Sequence, residues 1–335
     1  MQFEHAFQYD QRRAALRPYK LVAARAADLI LCPLVAAASI LLKGVRIANL
    51  NRMPISRALF DRIGVLPIRN HYYEPLFTYN DVNLTKRQLT AIDFNLPKQL
   101  ELLSQFTYQQ ELLDIPFDRP SSRSSFYYNN GSYVAGDAEF LYSMVRHLRP
   151  KRILEVGSGN STLIVRQALE RNLRSNPQDT CEHTCIEPYE QPWLEGTGIV
   201  VVRERVEDID LSCFTALGPG DILFIDSSHT IRPGGDVLFL FQTVLPILNA
   251  GVYVHIHDIF TPWHYPADWL EQEKRLWNEQ YLVEAFMTMN NAYSVVAMLY
   301  LLSQEWREEL SAALPVYGQN AATITPGAFW IKKTN

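Results

Sequence analysis

The chain has 335 residues, 47% of them hydrophobic and 20% charged, with 15 glycines and 19 prolines. These proportions lie near globular averages and exclude a wholly disordered, collagen-like or coiled-coil chain. With 31 basic against 36 acidic residues the formal charge is −5, so no surplus of phosphate-neutralising charge exists and nucleic acid is not an expected partner. Four cysteines, Cys32, Cys181, Cys185 and Cys213, make no C-x-x-C pair and are too few for a disulfide framework, which points to a reducing, cytoplasmic compartment.

Near the N-terminus, residues 29–42 (LILCPLVAAASILL) carry no charge and are bracketed by Arg25 and Lys43. A bilayer core needs about 20 apolar residues, Pro33 interrupts the run and Asp28 stops its extension. A buried or dimer-forming helix is the favoured placement, ahead of an interfacial anchor that would make the chain peripheral to a membrane, and of a true span. Basic residues flank both sides (Arg12, Arg13, Arg17, Lys20 and Arg25 before; Lys43, Arg46, Arg52 and Arg57 after), so charge asymmetry sets no orientation. The late apolar run without a small-x-small site after it argues against a cleaved signal peptide.

Residues 1–120 read as a mainly helical N-terminal region. Leu84, Leu89, Ile92, Leu96, Leu100 and Leu103 recur at helical spacing, and Pro54, Pro67, Pro75 and Pro97 are expected to break the pattern. The segment 119–131 (RPSSRSSFYYNNG) reads as a linker, placing a second domain at 121–335. There, short β-rich runs alternate with helical stretches: 152–156, a helix from Ser161, 183–187, 198–206, 221–226, a helix over 237–248, and 251–258. Such alternation predicts an α/β fold with a mostly parallel sheet covered on both faces. Residues 292–302 and 327–333 look like two late strands able to pair antiparallel.

The strongest motif is Glu155-Val156-Gly157-Ser158-Gly159-Asn160-Ser161-Thr162, following a strand and opening a helix. In a doubly wound sheet this is the first crossover, where backbone approaches a ligand at a helix N-terminus. A dinucleotide fingerprint wants Gly or Ala where Thr162 stands, and Glu155 suits an ammonium or sulfonium better than a pyrophosphate. At the end of the second strand, Glu187 is placed to hold a ribose hydroxyl pair. Glu207 and Asp208 end the third and offer a carboxylate to an adenine amine.

These residues, with the lead-in NNGSYVAGDAEFLYSMVRHLRPKRILEVGSGNST, DILFIDSSHT and GVYVHIHDIFTPWHYPADW, make the region from Gly131 onward resemble a class I S-adenosylmethionine-dependent methyltransferase, similar to bacterial O-methyltransferases of small molecules and sugars. The resemblance implies a Rossmann-like seven-stranded sheet closed by a reversed terminal hairpin. It also implies S-adenosylmethionine as cofactor, with Glu155, Gly157, Ser158 and Gly159 at its methionine end, Glu187 at its ribose, and Glu207, Asp208 and Asp226 further along the same edge.

Two polar strand ends, Asp226-Ser227-Ser228-His229 and His255-Ile256-His257-Asp258, project at the carboxyl edge. A hydroxyl acceptor loses its proton as it attacks, and either a general base or a metal-bound alkoxide meets that need. His229 is the candidate base, with Asp226 and Asp258 orienting the acceptor. Asp226, His257 and Asp258 form the alternative, a divalent-metal set. His255 shares a strand face with His257 and reads as packed and hydrogen-bonded. The rings of Tyr72, Tyr73, Tyr127, Tyr128, Tyr133, Trp263, Tyr265 and Trp269 read as packing first and as a roof over the acceptor second. Cys181-x-His183-x-Cys185 lacks the second ligand pair of a zinc site. The expected function is methylation of a small-molecule hydroxyl or other heteroatom, by a chain that could form a homo-oligomer. The alternative is a membrane-associated scaffold keeping a non-catalytic methyltransferase fold, with its function in residues 1–120.

Overall fold

The computed structural model describes residues 17–77, 82–120, 125–189 and 191–335. Arg12, Arg13 and residues 121–124 of the expected linker lie outside the described residues. The chain divides into two compact units, Met1–Val82 and Asn83–Asn335.

In the first unit, α1 (Arg17–Ile47) is one continuous helix that carries Pro33 within it. Residues 22–41 are exposed without exception, so the expectation of a buried helix does not hold within this chain. The shorter α2 (Pro54–Ile63) starts on Pro54 and stops at Gly64, whose φ of 77° lies in the left-handed region. Proline preset for the first helical turn and glycine just past the last explain both ends. Pro54 therefore opens a helix where a break was expected, and Pro97 does the same in α3 (Leu96–Gln105).

The second unit starts earlier than the linker suggested. Leu103 of α3, Phe106 and Leu112 of α4 (Gln109–Leu113) are buried in its core, so the boundary at 120/121 falls inside a packed body. Its centre is a seven-stranded sheet in the order β3-β2-β1-β4-β5-β7-β6, with β1 at Arg152–Val156, β2 at Glu182–Ile186, β3 at Val200–Val202, β4 at Ile222–Ile225, β5 at Tyr253–Ile256, β6 at Tyr293–Met298 and β7 at Phe329–Lys333. The first five strands are parallel, and β7 runs antiparallel between β5 and β6. This is the expected Rossmann-like sheet with a reversed terminal pair. The period of two splits the strands into two cores: Ile153, Phe224 and Trp330 pack on one face, and Leu154, Val156, Leu223, Ile225, Val254 and Ile256 on the other. Each fully buried aliphatic side chain contributes about 1.5–3 kcal/mol.

The strand expected over 292–302 ends at Met298 and turns into a helix, Leu299–Glu305. A continuous apolar run has no period to separate the two states. Two buried acids fasten α5 (Asp137–Leu148), the helix leading into β1, to the C-terminal region. The Asp137 carboxylate accepts from the backbone N–H groups of Gly327 (2.9 Å) and Ala328 (2.8 Å). Glu139 accepts from those of Gly136, Val316 and Tyr317 at 3.1, 2.8 and 2.7 Å. Burial pushes Asp137 up to about 6 and Glu139 up to about 7.

Candidate active site

The carboxyl ends of β1 and β4 are tied by backbone. The Asp226 N–H donates to the Val156 carbonyl at 2.9 Å, and the Gly157 N–H donates across to Ile186 at 3.0 Å. Gly157 has φ 79°, and a Cβ there would lie 1.8 Å from the Asp226 carbonyl oxygen, so only glycine fits. The loop leads into α6 (Asn160–Ser175). Thr162, which departs from the dinucleotide pattern, accepts the Gly159 N–H at 3.1 Å and so caps the helix start.

Beside this loop lies a cavity of about 330 Å³ lined in part by Gly157, Glu187, Tyr189, Glu207, Asp226 and Arg232. Glu187 is held by the N–H groups of Ser158 (3.3 Å) and Tyr189 (3.0 Å). Asp208, expected here with Glu207, does not line the cavity. It turns outward to Arg205 at 2.9 Å because the short helical turn Val206–Asp208 sends adjacent side chains in different directions. A larger hollow of about 650 Å³ lies near Lys98, Tyr253 and Lys332, at the amino end of β5, and contains none of the predicted site residues.

Glu155 also departs from expectation. Its side chain is fully buried on the other sheet face, where Oε2 meets His183 Nε2 at 2.9 Å and accepts the Cys185 thiol at 3.1 Å. Among the described residues Glu155, His183 and Cys185 bring three ligand-type atoms within 4.8 Å of one another, and Cys181 is not one of them. Burial first, then the Glu155 charge, push the Cys185 thiol far up, so it stays protonated and donates. The second oxygen, Glu155 Oε1, is buried with no hydrogen-bond partner among the described residues. Along the cavity, the carboxylates of Glu187, Glu207 and Asp226 beside a glycine-only loop offer acceptors that fit the hydroxyl and amine donors of an adenosine-containing cofactor.

At the neighbouring strand ends, His229 is the hub. Nε2 lies 3.2 Å from Asp226 Oδ1 and 3.8 Å from Asp258 Oδ2, and Nδ1 lies 2.9 Å from Glu279 Oε2. Its carbonyl accepts from the N–H groups of Asn278 (3.0 Å) and Glu279 (3.2 Å), and the Trp277 ring lies 4.3 Å away. Burial opposes charge on His229, but hydrogen bonds to Asp226 and Glu279 outweigh it and raise its pKa well above 6.5. These contacts favour the imidazolium form. Burial likewise opposes ionisation of Asp226, yet His257 and His229 hold it down at about 2.

The expected metal set of Asp226, His257 and Asp258 does not assemble. The His229 ring sits between the two aspartates, His257 Nε2 lies 3.5 Å from the opposite oxygen of Asp258, and these residues do not gather three ligand atoms within 4.8 Å. His255 and His257 do share a face, their rings 5.7 Å apart. His255 stacks on Phe224 at 4.3 Å, and its two nitrogens have no hydrogen-bond partner among the described residues, so it is packed but not hydrogen-bonded.

Of the aromatic set, Tyr133 lies 5.0 Å from His257 and Tyr128 is buried in the core. Trp269 packs 5.4 Å from Trp277, and Tyr265 lies 6.3 Å from it. Glu279 and Trp277 were not found from sequence, since they stand some 50 residues beyond His229. The one signal in the sequence was the polar Glu279-Gln280 pair opening an apolar helix, Glu279–Met287, and the structure buries both side chains fully.

A family model described as a methyltransferase domain matches residues 154–259. An uncharacterized protein of Archaeoglobus fulgidus is 32% identical over 163 residues, covering 44% of this chain and 72% of the relative. Among solved structures, the O-methyltransferase TomG from Streptomyces achromogenes in complex with S-adenosylmethionine aligns with a TM-score of 0.36 at 16% identity, over 70% of this chain and 90% of that one. An apo-structure of CmcI aligns at 0.35 and 18% identity, over 68% and 84%. Residues 154–259 are therefore a methyltransferase domain, and the S-adenosylmethionine-dependent class is the one this match and the Rossmann-like sheet support.

Proposed function

We propose that the chain methylates a hydroxyl, or another heteroatom, of a small molecule or sugar, with cofactor and acceptor meeting between β1, β2 and β4. The observation that carries this reading is the convergence of Gly157, Glu187, Glu207 and Asp226 on one cavity at the strand ends, with the His229 cluster at the same edge. S-adenosylmethionine supplies, when bound, an electrophilic methyl on a sulfonium. The Gly157 turn would lie beside its methionine end, Glu187 would hold its ribose diol, and Glu207 would meet its adenine amine.

On the acceptor side, Asp226 and Asp258 orient the hydroxyl, and His229 takes its proton at Nε2. Glu279 holds the proton on Nδ1, which leaves Nε2 as the reactive nitrogen, the arrangement used by carboxylate-histidine pairs generally. Because the raised pKa favours the imidazolium, the Nε2 proton passes to solvent before His229 can act as base, so the rate rises with pH beyond the usual histidine range. The apolar segment 29–42 joins this reading as the part of the chain that meets a membrane.

The test is transfer of labelled methyl from S-adenosylmethionine to a panel of hydroxyl-bearing small molecules and sugars. With an acceptor that turns over, His229→Ala lowers turnover by about 10²–10⁴ at saturation. Near-wild-type turnover in that variant would remove His229 as the base.

A further inference from the structure

The apolar surface of the first unit points to a specific environment. Leu29, Ile30, Leu34, Ile40 and Leu41 of α1 are between 68% and 77% exposed. At 100° per residue, Leu29, Ile30, Leu31, Leu34 and Val35 fall around the whole circumference, and 29–42 offers Ser39 as its one hydroxyl and no charge. A second copy packing against this helix would need an apolar stripe backed by a polar face. A helix apolar all round is matched instead by hydrocarbon, and the 26 residues Val22–Ile47, none buried, are long and apolar enough to cross a bilayer.

The segment after α1 has a different character. Ile55, Leu59 and Ile63 stand exposed at i, i+4 and i+8 on α2. Lys43, Arg52, Arg57 and Arg62 are exposed around them, while Asp61 is the one acid within α2. Arg46 and Arg69 are committed to Glu74, so they add little to this basic rim. Tyr72 and Tyr73, 90% and 85% exposed, add the amphipathic rings favoured at membrane interfaces. A short basic amphipathic helix after an apolar one suits the plane of anionic head groups.

We propose that α1 is embedded in a lipid bilayer and that α2 lies along its surface, engaging anionic head groups through Lys43, Arg52, Arg57 and Arg62. The proposal extends the membrane contact named above and is independent of the methyl-transfer chemistry.

Flotation of the full chain, purified in detergent and exchanged into vesicles of phosphatidylcholine with or without phosphatidylglycerol, tests it. The chain is expected to float with both vesicles and to resist stripping by high salt and by alkaline carbonate. Leu34→Asp with Ile40→Asp removes the carbonate resistance and leaves a salt-sensitive association with phosphatidylglycerol vesicles alone. In that background each of Arg52→Gln, Arg57→Gln and Arg62→Gln weakens vesicle binding about fivefold, from ~1 kcal/mol per basic residue at an anionic surface. Far-ultraviolet circular dichroism, with helix content unchanged throughout, certifies that the variants fold. Failure of the wild-type chain to float, or its recovery as a detergent-free soluble oligomer, overturns the bilayer. Equal binding of the arginine variants overturns the role of α2.

Discussion

In Met1–Val82 the large aliphatic residues of α1 stand exposed, whereas in Asn83–Asn335 residues of the same kind, Leu141, Ile222 and Ile256, are fully buried around a sheet. The charged groups invert in the same way. Arg52, Arg57 and Arg62 are exposed, while Asp137, Glu139, Glu155 and Glu279 are buried. In the first unit, hydrophobicity is exposed and, on the proposal above, faces lipid. In the second it builds a frame stiff enough to hold carboxylates away from water, each tied to a backbone amide, a thiol or an imidazole. Such groups are costly to bury unpaired, and each is buried with partners: Asp137 and Glu139 fasten the fold, and Glu279 holds His229.

The comparison sharpens when one unit is disturbed and the other read. The largest effect is expected from Gly157→Ala, because its Cβ would meet the Asp226 carbonyl at 1.8 Å in a left-handed conformation. S-adenosylmethionine binding should be lost in calorimetry, with vesicle flotation intact. Next comes Glu279→Gln, which removes one of the two carboxylates that hold His229 charged. Histidine resonances followed by NMR across pH should show His229 titrating well above 6.5 in the wild type and lower in the variant. An unmoved titration would mean that Glu279 is only packed nearby.

The sign for stability comes from the same shifts. The raised His229 pKa contributes stability that is full below pH 6.5 and fades as pH climbs through the folded value. Asp226, held at about 2, contributes above 3.8 and loses its contribution as pH falls towards 2. Thermal melting against pH should therefore decline on both flanks. The smallest effect belongs to Asp208→Ala, whose outward pair with Arg205 is exposed. Cofactor affinity should stay within about twofold, as expected for an exposed ion pair worth about 0–1 kcal/mol.

Much of the sheet was legible in the sequence because each parallel strand is a short apolar run closed by turn residues, as in 152–156 and 221–226. The site was legible where one motif carries one strand end: Gly157, Glu187, Asp226 and His229 all stand at the carboxyl edge. It was not legible where the outcome depends on which way a side chain turns. Glu155 lies under the loop with His183 and Cys185, Asp208 faces out, and Asp226, His257 and Asp258 close on a histidine rather than on a cation position. Glu279 reaches His229 only through the packing of a helix that starts 50 residues later, a proximity that no local pattern encodes. Likewise Leu103 and Leu112 joined the second core because folding, not composition, decides where the boundary falls.

The central claim is that the cavity beside Gly157 takes S-adenosylmethionine with Glu187 on its ribose. Calorimetric titration of the full chain with S-adenosylmethionine and with its demethylated product, using NAD as the control, tests it most directly when repeated on Glu187→Ala. The account predicts micromolar binding of both ligands, no NAD signal, and a loss of about tenfold or more in the variant, since removing a charged hydrogen-bond acceptor costs about 1.5 kcal/mol or more. Binding of NAD in preference, or unchanged affinity in Glu187→Ala, would contradict it.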